Sequence, residues 1–299
     1  MVGLDIAPES GLSRDTTLCT VDGQLDLDAQ ARFTDWQVRS GIHGLIPLGS
    51  TGEFLSMSFE EKKAVADCVI STVNGRVPVL VGAGAESTEE VIENVEMAQQ
   101  LGADGTMIIP PFYSTPTNKE LFRHFERISE KATKPIMLYN NPATANVDLT
   151  PDVVAELSHL PHIDFIKEST MDVTRVRDIL DLSEGRMKVF GGIMGYESFL
   201  SGACGWVAVG SNIMPKEFSL LFSCADEDQD LKKARELYKQ ILPIIRLVGG
   251  HRYVSATKAA LSEIGQPMGQ PRSPRLPLPD DEKPELINAL ELSGVFKRP

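Results

Sequence analysis

The chain has 299 residues, of which 42% are hydrophobic, and its formal net charge is −13. That acidic balance argues against a nucleic-acid or anionic membrane surface as the main partner. The four scattered cysteines form no C-x-x-C pair and indicate free thiols in a reducing compartment rather than disulfides or a zinc site. With no signal peptide and no apolar run of about 18 residues, we expect a soluble cytoplasmic protein.

Short apolar runs alternate with amphipathic stretches along most of the chain. The first strand is predicted within Leu12–Thr20, although this segment contains Arg14 and Asp15, and a helix follows at Asp26–Ser40. Seven further runs predict strands: Gly44–Leu48, Val77–Val81, Thr106–Ile109, Pro135–Tyr139, Ile163–Ile166, Met187–Phe190 and Trp206–Val209. Short apolar runs without alternation are typical of parallel strands that are covered on both faces.

Each run is followed by turn residues and then by a helical pattern. Ser58 and Ser87 precede acidic residues as in capped helix starts, and the segments Asp152–Leu157 and Val173–Leu182 continue the alternation. Eight such units predict an α/β fold that closes into a (β/α)8 TIM barrel, whereas six or seven could form an open doubly wound sheet. We predict the barrel.

The pattern changes after Cys224. Three helices are predicted in this last part, at Asp230–Val248, Tyr253–Ile264 and around Glu285–Leu292. The proline-rich segment Gln266–Pro279 cannot be helical, because proline lacks the backbone N–H and restricts the residue before it. We therefore predict a barrel that carries the catalytic site at residues 1–223 and a C-terminal helical appendage at residues 224–299.

Lys167 closes the apolar run Ile163–Ile166, which is an unusual place for a residue that normally lies in water. If the run is a buried strand, burial lowers the lysine pKa from about 10.4 towards about 7–8, at a cost of roughly 4 kcal/mol. The free amine is then available to attack a carbonyl. The alternative is structural: Lys167 ends an edge strand and pairs with Glu168 or Asp172. The segment alone leaves both interpretations open.

In a barrel the active site lies at the carboxyl ends of the strands, so the residues that follow each run matter most. The segment Gly49–Glu53 sets Ser50 and Thr51 between glycines, where backbone N–H groups and hydroxyls can hold a small anion. Tyr113 and Tyr139 follow or end two other runs. Each feature also has an ordinary explanation, as a glycine turn or as a core tyrosine with a polar tip.

Small residues follow the last two runs. The pair Gly191–Gly192 leaves space beside the expected site, and Val209 precedes Gly210. We predict that Gly192 and Val209 contact the substrate, although ordinary loop positions would explain them as well.

Other kinds of site are disfavoured. The segment Gly82–Ser87 follows a run but lacks the third glycine of a dinucleotide-binding fingerprint. No P-loop, H-E-x-x-H or G-x-S-x-G motif occurs, and the five histidines have no metal-ligand spacing. What remains is one lysine, two tyrosines and a Ser/Thr anion cradle. That set suits imine chemistry on a 2-oxo acid, because a lysine amine condenses with the ketone while a phenol moves the protons.

These motifs together resemble the dihydrodipicolinate synthase / N-acetylneuraminate lyase family of Schiff-base aldolases. The resemblance runs from about residue 25 to the end of the chain. It rests on five motifs and on the C-terminal tail from Gly265: GSTGE at 49–53, PPFYSTP at 110–116, YNNP at 139–142, IKEST at 166–170 and the glycines at 191–192.

The resemblance implies a role for each candidate residue. Lys167 would form the Schiff base, Tyr139 would relay protons, and Ser50 would occupy the hydroxyl position of the relay. Thr51 and its neighbouring N–H groups would bind the carboxylate of the 2-oxo acid. Tyr113 matches a second relay tyrosine, which in the synthases comes across a subunit interface. The resemblance also implies a homotetramer built from dimers, with no metal and no organic cofactor.

Three departures from the family pattern are visible. Thr144 stands where the synthases carry an arginine that holds the second substrate, and the segment Gly191–Gly195 lacks their acidic residues. The segment Thr16–Thr20 also departs from the usual first strand. We therefore expect a Schiff-base lyase that acts on a small 2-oxo acid by aldol cleavage or condensation, dehydration or deamination. The alternatives are dihydrodipicolinate synthase itself and a catalytically idle barrel that binds an oxo acid.

Overall fold

The computed structural model describes residues 12–14, 23–225, 230–249 and 252–296. The chain forms two compact units. The first unit is built from Pro78–Val207, and the second from the described residues of Gly11–Val77 and Ala208–Pro299. The predicted division into a catalytic barrel at residues 1–223 and a helical appendage at residues 224–299 stays a prediction.

Strands and helices alternate along the described residues. The strands are β1 Leu12–Arg14, β2 Gly44–Ile46, β3 Leu80–Gly82, β4 Gly105–Ile108, β5 Ile136–Asn140, β6 Ile163–Glu168, β7 Lys188–Gly191 and β8 Gly205–Trp206. The helices are α1 Leu27–Arg39, α2 Phe59–Val73, α3 Thr88–Gln100, α4 Asn118–Ser129, α5 Pro142–Ala145, α6 Pro151–Leu157, α7 Thr174–Leu182, α8 Gly195–Leu200, α9 Pro215–Ala225, α10 Leu231–Leu247, α11 Tyr253–Glu263 and α12 Lys283–Ser293.

The first unit is a sheet of six parallel strands with helices between them. The strands lie in the order β3-β4-β5-β6-β7-β8, so each strand neighbours the one that follows it in the chain. One apolar cluster joins strand residues such as Leu138 and Ile166 to helix residues such as Val95, Phe125 and Ile179. Burial of this apolar area is the main term that holds the helices on the sheet.

A shift of register between β5 and β6 decides which face of the sheet Lys167 occupies. Ile136 pairs with Ile163, but Met137 pairs with Phe165, so one extra residue, Asp164, enters β6. Successive side chains of a strand point to opposite faces, and a one-residue bulge reverses that alternation. Ile166 therefore lies on the helix-covered face, and Lys167 lies on the other face.

The second unit contains β1 and β2, which pair in parallel, and helices from both ends of the chain. Helix α10 packs against α9 and α12. Helix α2 begins with a capping box, in which the Ser58 side chain accepts from the Glu61 N–H and the Glu61 carboxylate accepts from the Ser58 N–H. The predicted capped start is thereby confirmed.

Most predicted elements are confirmed, with bounds that differ by a few residues. Strand β3 begins at Leu80 rather than Val77, and Pro78 has no N–H to give to a ladder. Strand β8 ends at Trp206 rather than continuing to Val209. Of the first predicted strand only Leu12–Arg14 is described, and Asp15–Thr20 lie outside the described residues. No helix occurs in Gln266–Pro279, as its prolines predicted.

Candidate active site

Lys167 and Tyr139 are the central pair of the first unit. They are register partners on β6 and β5, and the Lys167 Nζ lies 4.0 Å from the centroid of the Tyr139 ring. Lys167 is 1% exposed and Tyr139 is 4% exposed. The Tyr139 Oη accepts a hydrogen bond of 3.0 Å from the Asn141 Nδ2. The sequence motif therefore delivers a buried amine against a buried phenol.

The structural alternative for Lys167 is wrong. Strand β6 pairs with β5 and with β7, so it is not an edge strand. The Glu168 carboxylate binds the Asn140 side chain and the Thr170 N–H, and the Asp172 carboxylate binds Thr174. Lys167 therefore forms neither of the two ion pairs that this alternative required.

A polar network occupies the ends of β5 and β6 on the face opposite to Lys167. The Asn140 Nδ2 donates to the Glu168 Oε2 at 2.9 Å and also contacts Asp148 at 3.2 Å, while the Asn140 Oδ1 accepts from the Leu149 N–H at 3.0 Å. Burial raises the pKa of Glu168, although its hydrogen bonds from Asn140 and Thr170 act in the opposite direction. The network fixes the register that brings Tyr139 to Lys167.

A bidentate ion pair extends this network. The Arg175 guanidinium donates to both Asp148 oxygens at 2.6 and 2.7 Å, and this hydrogen bonding lowers the pKa of Asp148. Asn140 and Glu168 stand in two of the sequence motifs, but no role was predicted for Asn140, and Glu168 was considered only as an ion-pair partner of Lys167. Their only signal was their place directly after Tyr139 and Lys167.

Gly192 lies in a gap that admits no side chain. A Cβ atom at this position would come within 1.7 Å of the Ser169 Oγ and 2.8 Å of the Glu168 carbonyl oxygen. The Gly192 N–H donates to that carbonyl at 2.7 Å. The Ser169 Oγ is buried and has no hydrogen-bond partner among the described residues. Gly192 and Ser169 thus bring the loop after β7 close to the end of β6.

Tyr113 lies on a loop that projects into solvent, and its side chain is 88% exposed. The Glu86 carboxylate accepts hydrogen bonds from the backbone N–H groups of Phe112, Tyr113 and Ser114 at 3.0, 3.0 and 2.8 Å. Desolvation tends to raise the pKa of Glu86, but these bonds and the Ser114 side chain lower it to about 2. Glu86 was not recognised from the sequence, where it stood in a segment considered only for its glycines.

In the second unit, Ser50 and Thr51 lie in a tight double turn after β2. The Gly52 N–H donates to the Gly49 carbonyl at 3.0 Å, and the Glu53 N–H donates to the Ser50 carbonyl at 3.3 Å. Thr51 is 0% exposed, and its Oγ1 has no hydrogen-bond partner in the described part of the chain. A buried hydroxyl without a partner is costly, and the Thr51 Oγ1 is therefore a candidate for binding another polar group.

Glu53 ends this turn and is held by the C-terminal part of the second unit. Its carboxylate accepts from the Lys258 Nζ at 2.6 Å and from the Arg272 N–H at 2.7 Å, and both side chains of the ion pair are buried. Lys258 also donates to the Gln270 carbonyl at 2.9 Å. Glu53 has a φ of 57°, a left-handed conformation that costs energy for a residue with a side chain.

The remaining candidates lie in the segments that follow strands β8 and β5. Val209 is half-buried, and its carbonyl accepts from the Asn212 N–H and the Asn212 side chain. Thr144 is exposed on the short helix α5, where its hydroxyl donates to the Asn141 carbonyl. Thr144 therefore presents no positive charge at the position where the family resemblance implies an arginine in the synthases.

No helix among the described residues is long and apolar enough to span a membrane. No group of three or more His, Cys, Asp or Glu side chains in the same residues could hold a metal ion. The expectations of no metal and no organic cofactor stay predictions.

The sequence matches the family described as Dihydrodipicolinate synthetase over residues 16–293. It is 32% identical over 277 residues to the 4-hydroxy-tetrahydrodipicolinate synthase of Thermodesulfovibrio yellowstonii, with 92% of this chain and 95% of that protein covered. A crystal structure of the chloride-inhibited dihydrodipicolinate synthase of Acinetobacter baumannii, complexed with pyruvate, matches with a TM-score of 0.94 and 32% identity over 97% of this chain and all of that one.

A second solved structure has the same sequence identity to this chain. YagE from Escherichia coli, a prophage protein of the dihydrodipicolinic acid synthase family in complex with pyruvate, has a TM-score of 0.91 and 32% identity, with 96% of this chain and 99% of that chain covered. These likenesses, together with the order of parallel strands and helices, confirm the predicted α/β class, a (β/α)8 TIM barrel with a C-terminal helical segment.

Proposed function

The chain belongs to the dihydrodipicolinate synthetase family and is an enzyme of the lyase class, and we propose that it acts on a small 2-oxo acid through an imine on Lys167. The observation that carries the proposal is the buried Lys167 amine, 4.0 Å from the centroid of the Tyr139 ring. Two related structures are complexes with pyruvate, which is the smallest 2-oxo acid with an enolisable carbon.

The chemistry begins with attack of the neutral Lys167 amine on the ketone carbon of the 2-oxo acid. A proton moves from nitrogen to oxygen to give a carbinolamine, whose hydroxyl takes up a further proton and leaves as water, so that a protonated imine remains. That imine accepts the electron pair released when a proton leaves the adjacent carbon or when the next C–C bond breaks. The Tyr139 phenol would give and take the protons of these steps.

The other roles are proposed from the family resemblance. Ser50 and Tyr113 would complete the proton relay with Tyr139. Thr51 would bind the substrate carboxylate, and its buried hydroxyl without a partner supports that role. Gly192 and Val209 would contact the substrate. We also propose a homotetramer in the cytoplasm, with Tyr113 contributed to a neighbouring subunit, and the 88% exposure of Tyr113 supports that arrangement.

Borohydride trapping tests the imine. The protein is incubated with pyruvate, reduced with sodium borohydride and digested, and we expect the mass of a reduced pyruvate adduct on the peptide that contains Lys167. In the controls, pyruvate is either omitted or added after the borohydride has been quenched, and the mass of this peptide should stay unchanged. A folded protein that gives no adduct at Lys167 with pyruvate or with a panel of 2-oxo-3-deoxy sugar acids would contradict the proposal.

Dihydrodipicolinate synthase remains a second candidate, because the related protein of Thermodesulfovibrio yellowstonii carries the name 4-hydroxy-tetrahydrodipicolinate synthase. Thr144 argues against it, since a hydroxyl cannot replace the bidentate hold of an arginine on a carboxylate. Restored growth of a strain that lacks the synthase, on medium without lysine or diaminopimelate, would favour this candidate. Turnover of a 2-oxo-3-deoxy sugar acid without restored growth would favour the broader lyase. A protein that traps pyruvate but turns over nothing would be an idle oxo-acid-binding barrel.

A further inference from the structure

Glu86 is the one carboxylate of the first unit for which three consecutive backbone N–H groups are described as donors. Those donors belong to Phe112, Tyr113 and Ser114, 26 to 28 residues further along the chain. A run of N–H groups that converge on one anion fixes the backbone dihedrals of the segment that supplies them. The exposed side chain of Tyr113 is thus attached to a backbone segment that the Glu86 carboxylate holds through three hydrogen bonds.

The fold explains why Glu86 reaches this loop. Strands β3 and β4 are register partners, with Gly82 opposite Met107, so Glu86 and Phe112 stand at comparable distances beyond the ends of neighbouring strands. Gly84 allows the close approach, because a Cβ atom there would lie 2.7 Å from the Ile109 Cγ2. The two loops leave the sheet side by side.

The other side of the loop is also anchored. The Asn146 Nδ2 donates to the Phe112 carbonyl at 3.1 Å. The peptide unit that joins Phe112 to Tyr113 is therefore held at both ends, because Asn146 binds its carbonyl and Glu86 binds its N–H. Prolines at 110, 111 and 116 restrict the rest of the segment. The backbone of Tyr113 can therefore adopt few conformations.

We propose that Glu86 is a positioning residue for the reaction, which acts through the backbone of Tyr113 by fixing the loop that presents its phenol. This inference rests on the proposed function, in which Tyr113 takes part in the proton relay. A misplacement of a relay group by about 1 Å can cost up to about 100-fold in rate, so an anchor of this kind has a catalytic effect without touching the substrate.

Glu86→Gln tests the proposal with little change in shape. The amide keeps one acceptor oxygen, but its NH2 group then faces an N–H donor, so at least one of the three hydrogen bonds is lost. We expect faster amide hydrogen exchange at Phe112, Tyr113 and Ser114, measured by mass spectrometry of short peptides. Glu93→Gln, an exposed carboxylate on α3, is the matched control and should leave that exchange unchanged. Unchanged protection in Glu86→Gln would overturn the proposed anchor.

The kinetic test needs pyruvate alone. Imine formation makes the methyl protons of pyruvate exchange with solvent deuterium, and nuclear magnetic resonance measures that rate. We expect Glu86→Gln to lower the kcat of exchange about tenfold with the KM for pyruvate nearly unchanged, and Tyr113→Phe to lower it about 100-fold. The double variant should match Tyr113→Phe, because Glu86 has no effect without the phenol. Additive losses in the double variant would overturn the inference.

A second substitution distinguishes an effect on the loop from a general loss of structure. Glu86→Asp keeps the charge and shortens the reach, so its amide exchange and its kcat should fall between those of the parent and of Glu86→Gln. Values equal to those of Glu86→Gln in both measurements, together with a lowered melting temperature for both variants, would mean that Glu86 serves stability alone. A parent protein that exchanges no methyl protons would instead contradict the proposed function, while amide exchange would still decide whether Glu86 anchors the loop.

Discussion

The Lys167 Nζ lies 4.0 Å from the centroid of the Tyr139 ring because the two residues are register partners on adjacent parallel strands. Their backbones are fixed by the ladder, and their neighbours Asn140 and Glu168 are joined by a hydrogen bond on the opposite face. The proposed nucleophile and the proposed proton relay are therefore held by the sheet itself. No loop has to close to bring these two groups together.

Replacement of Lys167 by methionine should abolish pyruvate trapping and leave the fold intact. Methionine has a similar shape and no charge to desolvate, so we expect an unchanged or higher melting temperature. Lys188 supplies a control on β7, where its Nζ lies 5.7 Å from the centroid of the Phe165 ring. Lys188→Met should still give the adduct at Lys167. An adduct that persisted in Lys167→Met would contradict the assigned nucleophile.

Tyr139→Phe should slow turnover and preserve substrate binding. The ring keeps its packing against Lys167, but the hydroxyl that accepts from Asn141 is lost. General acid–base groups contribute on the order of 100-fold to 10,000-fold, so we expect a fall in kcat of at least about 100-fold. Tyr253, whose hydroxyl accepts from Arg275, is a control of the same kind. Steady-state kinetics of Tyr139→Phe indistinguishable from those of Tyr253→Phe would argue against a relay role.

Gly192→Ala should damage both packing and activity. The new Cβ would meet the Ser169 Oγ and the Glu168 carbonyl, of which the carbonyl cannot move without disturbing β6. Overpacking typically costs about 1–3 kcal/mol, which urea unfolding followed by circular dichroism would measure. Ser169→Ala removes the closest atom, so the double variant should recover part of the loss. No recovery would mean that the carbonyl contact is the dominant clash.

Lys258→Met should destabilise the second unit strongly. It would leave the Glu53 carboxylate buried with only the Arg272 N–H as a described donor, and breaking a buried ion pair in this way costs about 3–5 kcal/mol. The double variant Glu53→Gln with Lys258→Met removes both charges, and we expect it to be more stable than Lys258→Met alone. A double-mutant cycle from urea unfolding checks the sign, and additive losses would contradict a direct pairing.

His124 should make the protein less stable in mild acid. Burial is the main cause that lowers the pKa of His124 to about 4 from its ordinary value of 6.5; the nearby Arg127 charge acts in the same direction, and Glu89 and Glu86 oppose it. His124 therefore binds a proton near pH 6.5 in the unfolded chain, but only near pH 4 in the folded chain. This contribution to stability is complete above pH 6.5 and is lost as the pH falls towards 4.

The measurement is the melting temperature between pH 4 and pH 7.5, compared with His124→Phe. The variant loses the hydrogen bond between the His124 Nδ1 and the Thr88 Oγ1, so it should be less stable near neutrality, yet its stability should fall less on acidification. Parallel pH curves for the two proteins would rule out His124 as the titrating group.

Local features of the fold were predictable because they depend on neighbours in the chain. The capping box at Ser58 and Glu61 and the non-helical proline segment follow from residues a few positions apart. The buried strand before Lys167 was likewise visible as an apolar run. The roles of Asn140, Glu168 and Glu86 were not predictable, because each depends on a partner that only the tertiary fold brings near.

The sequence by itself determined that an amine, two phenols and a Ser/Thr turn stand at strand ends, and it identified the family to which such a set belongs. Only the tertiary structure decided which side chains meet. The extra residue Asp164 turns Lys167 towards the face of Tyr139, and hydrogen bonds join Glu86 to a loop 26 residues away and Lys258 to Glu53 over 205 residues. Apolar patterns specify burial at short range, whereas strand register and buried charge pairs form only after distant segments have packed.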